Sequence, residues 1–154
     1  DGGFIGGKDY APGSVAMTGT HDTATVAGWW SGRDLEWAQR LGRLSGTPED
    51  AAEQRDWDRG LLWATLTHDR SPRPSADDPA PVVEAALRHI GASASRLAIA
   101  PLEDLLAGQE QPNLPGTVNE HPNWRRRLPE PIEDLLDQPE TAARIAALDG
   151  ARKA

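Results

Sequence analysis

The chain has 154 residues, with 16 lysines and arginines against 24 aspartates and glutamates, a net charge of −8, 38% hydrophobic residues and 15 glycines. That length and apolar content suit one globular domain of ordinary size, and the acidity repels phosphate backbones and anionic lipid, so neither nucleic acid nor membrane is expected as a partner. The lack of cysteine excludes disulfides, thiolate metal sites and cysteine nucleophiles, and no apolar run approaches the roughly 20 residues of a membrane helix.

A reducing, cytoplasmic setting is the expected one. The chain opens at Asp1 and its one methionine, Met17, lies inside an apolar run, so a fragment of a longer protein is expected. Residues 1–13 hold five glycines and a proline and read as a loop. Val15 to Met17 then reads as a short apolar strand. It runs into a turn at Gly19 and a paired imidazole and carboxylate, His21 and Asp22. In parallel α/β folds ligands sit at the carboxyl ends of strands and in the loops after them. Asp22 is either a group facing such a cleft or the cap of the helix that follows, since Asp is a favoured N-cap.

That helix is expected from Thr23 towards Trp30. A second, capped by Asp34, carries Leu35, Ala38, Leu41 and Leu44 on one stripe and is expected to stop at Gly46. Thr47, Pro48 and Asp50 form a helix start. The helix is expected to reach Thr67, burying Trp57, Leu61, Leu62 and Leu66, with His68 and Asp69 closing it as a cation and its neighbour at the dipole's negative end. The prolines of residues 71–81 mark a surface connection. Val82, Val83, Ala86, Leu87 and Ile90 recur at helical spacing up to Gly91, with His89 off that stripe and solvated. Leu97 to Ala100 reads as a second strand, a buried one of the kind found in parallel sheets covered on both faces.

A brief helix from Leu102 to Leu106 leads into residues 109–127. This long loop carries Asn113, Asn119, Asn123 and Trp124 and leaves the same end of the sheet as His21 and Asp22. Long loops without regular structure are usually functional. Amides beside a flat apolar ring suit a neutral polyhydroxy ligand. Two short helices, Pro131–Leu136 and Pro139–Leu148, close the chain, the second ended by Gly150. His21, His68, His89 and His121 show no metal-ligand spacing, so no metal or cofactor is expected.

Two stretches carry a family resemblance. Thr18-Gly19-Thr20-His21-Asp22, with Thr25 and Gly28-Trp29-Trp30, resembles the segment of 4-α-glucanotransferases (amylomaltases) that supplies their third active-site carboxylate. Ala100 to Leu106, Asn113-Leu114-Pro115-Gly116 and Asn123-Trp124-Arg125 are similar to the same family's carboxyl-terminal signature. The resemblance implies the last two strands of a (β/α)8 barrel, with residues 1–154 as the carboxyl-terminal fragment of one catalytic domain and no separate second domain. It implies transfer of α-1,4-glucan segments to glucose or maltooligosaccharide acceptors. Asp22 would be the third carboxylate, His21 and Thr20 would contact the sugar, and Asn113, Pro115 and Gly116 would shape the loop wall. The nucleophile and the acid/base would lie on earlier strands, so these residues alone are expected to be inactive. Another α-glucan hydrolase of the amylase clan, or a non-catalytic glucan-binding module, are the alternatives.

Overall fold

The computed structural model describes residues 3–67 and 71–153. In chain order they form β1 (Val15–Met17), α1 (Val26–Ser31), α2 (Arg33–Arg40), α3 (Pro48–Thr67), α4 (Ala80–Gly91), β2 (Leu97–Ile99), α5 (Leu102–Leu105), α6 (Ile132–Leu136) and α7 (Pro139–Lys153), after a 3-10 turn at Gly7–Asp9. Among the described residues β1 and β2 make one parallel pair, with Val15 opposite Leu97, Ala16 opposite Ala98 and Met17 opposite Ile99. This is an α/β arrangement in which helices carry most of the regular structure. None of the described helices is long and apolar enough to cross a membrane.

Strand alternation places small residues on one face of this pair and large ones on the other. Ala16 is buried, and it joins Ala27, Val83, Leu87 and Ile90 in a core between the sheet and the α1–α4 layer. Val15, Met17, Leu97 and Ile99 share the opposite face and remain 46%, 42%, 56% and 48% exposed. Against expectation, this sheet is covered on one face only. Beside Met17 lies an apolar cavity of about 420 Å³ whose walls include Phe4, Ile5, Trp29 and Leu66.

Glycine sets the crossing of α4 and α7. A Cβ on Gly91 would lie 2.6 Å from the Leu148 carbonyl oxygen, so only glycine lets the helices approach this closely. Helix α7 continues past Gly150 to Lys153, where the Arg152 guanidinium in its last turn donates to the carbonyls of Ser93, Ser95 and Arg96 at 3.2, 2.5 and 2.6 Å. The strand at Leu97 is likewise shorter than read, ending at Ile99 before Pro101.

Other helical expectations are corrected. The first helix begins at Val26 rather than Thr23, and Asp34 is not the cap of the second: Gly32, at φ +90°, precedes Arg33, so Asp34 lies inside α2. Helix α2 stops at Arg40 rather than running to Leu44, with Gly42 at φ +63°. Trp57 is 68% exposed, because arginine, not tryptophan, sets the inward phase of α3. The buried Arg55 guanidinium pairs with both Asp34 carboxylate oxygens at 2.8 and 2.7 Å and covers the Trp29 ring, while Arg59 donates to the Trp30 carbonyl at 2.7 Å. Trp57 is two residues from Arg55, about 200° around the helix, and so faces water. His89 is half-buried against Tyr10 rather than solvated. The start of α3 is as read: each of the Thr47 and Asp50 side chains accepts the other residue's backbone N–H at 3.1 Å, and the Thr47 hydroxyl at 2.7 Å, with the Thr47 N–H, holds the Asp50 carboxyl below its usual range. His68 and Asp69 lie outside the described residues.

Candidate active site

The turn after β1 is built by threonines. Thr20 N–H donates to Thr23 Oγ1 at 2.8 Å, and the Thr23 N–H and hydroxyl return to the Thr20 carbonyl at 3.2 and 3.1 Å. A Cβ on Gly19 would come 2.9 Å from that Thr23 hydroxyl. His21 and Asp22 occupy the tip. Asp22 is not the cap of α1: Thr25 is, accepting the Gly28 N–H at 2.9 Å and donating onward to the Gly108 carbonyl at 2.6 Å. The Asp22 carboxylate is therefore free of the helix.

A second carboxylate anchors the floor. Asp104, in α5 just beyond β2, accepts the Val26 N–H at 2.8 Å and the Thr18 hydroxyl. Burial pushes its carboxyl up, against the pull of those two donors. It ties the end of β1 and the start of α1 to the segment after β2. Thr25 adds a second tie through Gly108. The third is steric: a Cβ on Gly28 would lie 2.3 Å from the Gln109 carbonyl oxygen.

Thus guided, the loop after α5 reaches the tip of the first turn. Asn113 N–H donates to the His21 carbonyl at 3.0 Å, and its side-chain amide donates to Asp22 Oδ1 at 2.6 Å. The buried Gln111 amide bridges the Asp22 and Asn113 carbonyls at 3.3 and 2.7 Å. Asp22 Oδ2 lies 3.3 Å from His21 Nε2, and the carboxylate side chain keeps 47% of its surface in water. The Trp124 ring leans on His21 with centroids 5.1 Å apart.

Behind this contact sits a buried polar knot. Asn123 Oδ1 accepts the Leu114 N–H at 2.8 Å and meets His121 Nδ1 at 2.6 Å, while Asn123 Nδ2 donates to the Thr117 carbonyl and hydroxyl at 3.1 and 2.8 Å. His121 is fully buried edge-on to Trp37, whose indole N–H donates to Glu110 at 3.1 Å. Glu110 also takes Arg33 at 2.6 Å and Arg126 at 3.0 Å. Burial raises the Glu110 carboxyl, but these donors outweigh it and the net shift is downward. Glu110 and Arg126, with His21 and Trp124, line a cleft of about 880 Å³.

Of the residues singled out in the sequence, Asp22, His21 and Asn113 come together, and Thr20 supports their turn. Pro115 and Gly116 are held elsewhere: their carbonyls accept Arg43 at 2.7 and 2.6 Å, and Gly116 adopts φ +72°. Sequence reading did not single out Gln111, Glu110 or Asp104, polar loop and helix residues whose partners lie far off in the chain. Among the described residues no three His, Asp or Glu side chains gather as metal ligands. What the site offers is one water-facing carboxylate, oriented from both sides by an amide and an imidazole. Such a group accepts hydrogen bonds from hydroxyls.

A model of the 4-alpha-glucanotransferase family matches residues 2–133. A 4-alpha-glucanotransferase of Haemophilus influenzae is 33% identical over 133 residues, covering 81% of this chain and 19% of that protein. An amylomaltase structure from Corynebacterium glutamicum superposes with a TM-score of 0.82 at 20% identity, over 97% of this chain and 23% of the other. An amylomaltase from Streptococcus agalactiae, in complex with acarbose, gives a TM-score of 0.58 at 20% identity over 93% of this chain and 22% of its own. The chain thus spans about a fifth of the length of the curated relatives it matches. With a matching model across most of its length and the two signatures joined at Asp22 and Asn113, the chain belongs to the 4-alpha-glucanotransferase family.

Proposed function

We propose that this chain is the carboxyl-terminal part of the catalytic (β/α)8 barrel of an enzyme that moves α-1,4-glucan segments between maltooligosaccharides, with Asp22 as its third active-site carboxylate. The observation that carries this is the 2.6 Å bond from the Asn113 amide to Asp22. It joins the loops after two neighbouring parallel strands, at the end of the sheet where such barrels keep their active sites. The uncovered face supports the same reading. Val15, Met17, Leu97 and Ile99 have the bulky apolar character of a barrel interior, and a parallel sheet is ordinarily buried on both sides.

Retaining transfer uses a nucleophilic carboxylate that attacks the anomeric carbon while a second carboxyl protonates the departing glycosidic oxygen; the second step reverses these roles, with an acceptor hydroxyl in place of the leaving group. In this reading both groups belong to strands preceding Val15. Asp22 accepts hydrogen bonds from hydroxyls of the sugar undergoing transfer, and His21 shares the same ring. Asn113, fixed at 2.6 Å, holds the carboxylate so that little reorganisation is needed as the ring flattens towards an oxocarbenium-like state. Thr20 sets the turn, and Pro115 and Gly116, tied to Arg43, fix the loop beyond Asn113. The acarbose complex of the Streptococcus agalactiae amylomaltase is in keeping with a glucan ligand.

The test is the full-length protein with maltotriose as sole substrate. Transfer yields a ladder of longer maltooligosaccharides; glucose and maltose alone would instead mark a hydrolase. Asp22→Asn is expected to lower kcat at least about 100-fold, the order lost when one preorganised electrostatic contact to the transition state goes, with an unchanged melting temperature. Parent-like turnover in that variant would refute the assignment.

A further inference from the structure

We propose that Trp124 is a stacking platform for a glucosyl unit neighbouring the one held at Asp22, an inference that rests on the glucanotransferase reading above. Two tryptophans in the described structure are mostly exposed. Trp57 has 68% of its surface in water on a regular helix. Trp124, at 67%, does so from a backbone with φ +58°. Bulky side chains rarely adopt the left-handed region, so the surrounding structure must impose it.

The bonds that impose it are all present. Trp124 N–H donates to the Pro112 carbonyl at 3.0 Å, Asn123 N–H to His121 at 2.8 Å and Arg125 N–H to Pro122 at 3.1 Å. The preceding Asn123 is itself locked to Leu114 and Thr117. This framework aims a rigid aromatic ring into the cleft beside His21 rather than burying it. Gln109, Glu110, Arg126 and Glu103 line the same cleft and bring donors and acceptors to it. A flat apolar surface rimmed by hydrogen-bonding groups fits the face of a pyranose and its equatorial hydroxyls. The net charge of −8 disfavours the other common stacking ligand, a nucleotide. The 5.1 Å contact between Trp124 and His21 places the platform directly next to the sugar held by His21 and Asp22.

The test uses the full-length protein, with KM for maltotriose and Kd for acarbose as readouts. Trp124→Gly removes the ring and suits the positive φ, so it leaves the loop backbone unstrained. It is expected to raise both constants about 3- to 10-fold, the loss of one aromatic stack, with most of the fall in kcat/KM carried by KM. Trp124→Phe is expected to recover binding to within about twofold. Parent-like KM and Kd in Trp124→Gly, or a Phe variant as weak as the Gly variant, would overturn the platform. If Trp124→Gly does not fold, Trp124→Phe against Trp124→Leu decides: equal acarbose affinity in the two refutes stacking, and weaker binding by Leu supports it. Asp22→Asn, assayed alongside, separates the two levels. If it keeps transfer activity the whole reading fails. If it loses activity while Trp124→Gly binds as the parent does, only the platform falls.

Discussion

His121 is the residue on which the long loop turns, and its removal has a calculable cost. The Leu114 N–H fixes which Asn123 side-chain atom is the oxygen, so the 2.6 Å contact requires His121 Nδ1 to carry a proton and donate. Nε2 is buried with no hydrogen-bond partner among the described residues, 3.9 Å from Glu110 Oε2. His121→Ala removes one hydrogen bond, worth about 0.5–1.5 kcal/mol, and one edge-on aromatic contact with Trp37, worth about as much again. It also opens a ring-sized cavity, which brings the total to about 2–4 kcal/mol. Hydrogen exchange in the peptide spanning 111–124 reads this locally, and protection should fall about 30- to 1,000-fold. His121→Phe keeps the volume and deletes the orphan nitrogen along with the bond, so its loss should stay within about 1 kcal/mol. Protection within twofold of the parent in His121→Ala would refute the idea that this knot holds the loop. Equal losses in the Ala and Phe variants would refute the weight given to packing.

Gly28→Ala would put a Cβ 2.3 Å from the Gln109 carbonyl oxygen. Overpacking of this kind costs about 1–3 kcal/mol even though alanine is the better helix former, and displacement of the 109–113 segment should weaken maltotriose transfer more than it lowers the melting temperature. Glu110 and Asp104 give opposite pH signatures. Glu110 lies below its ordinary value of 4.5, so its contribution is complete above that value and is lost as pH falls, the unfolded chain taking up the proton first. Glu110→Gln should therefore cost about 1–3 kcal/mol near neutrality and flatten the acid limb of a denaturation profile. Asp104 lies above its ordinary value of 3.8, so stability declines as pH rises from there to its folded value, and Asp104→Asn should remove that decline. An acid limb unchanged in Glu110→Gln would count against the hub.

Features with a local cause were legible in the sequence. The two apolar runs became paired strands at Val15 and Leu97 because three or four apolar residues between turn signals have few other uses. The Thr47–Asp50 start is decided within four residues. What failed was decided at a distance. The phase of α3 depends on carbonyls of Trp29 and Trp30 that Arg55 and Arg59 reach across the fold, so an aromatic at Trp57 misleads. The length of α7 depends on carbonyls at 93–96. Gln111, Glu110 and His121 belong to a loop with no periodicity, and their chemistry exists only once Asp22, Arg33 and Trp37 arrive from elsewhere. The meeting of His21, Asp22 and Asn113 was expected because both loops leave one end of the sheet. The roles of Pro115 and Gly116 in gripping Arg43 had no signal in the sequence.

Two carboxylates come from the two signatures, and their surroundings assign them different work. Asp104 is almost wholly buried and spends its oxygens on Thr18 and Val26. Its raised pKa reflects a charge held where water does not reach, and no sugar can reach it either. Asp22 spends one oxygen on Asn113 and leaves the carboxylate half in solvent. A ligand hydroxyl replacing that water gains a charge-assisted hydrogen bond without the cost of first desolvating a buried ion. The pair works as foundation and hand. Asp104 joins the two strand ends into one frame, Thr25 and Gly28 set how closely the second loop crosses the first, and Asn113 then meets Asp22 at hydrogen-bond distance. On the proposed reading, a carboxylate that recognises a flattening sugar ring needs its position fixed but its lone pairs available, and of the two only Asp22 meets both conditions.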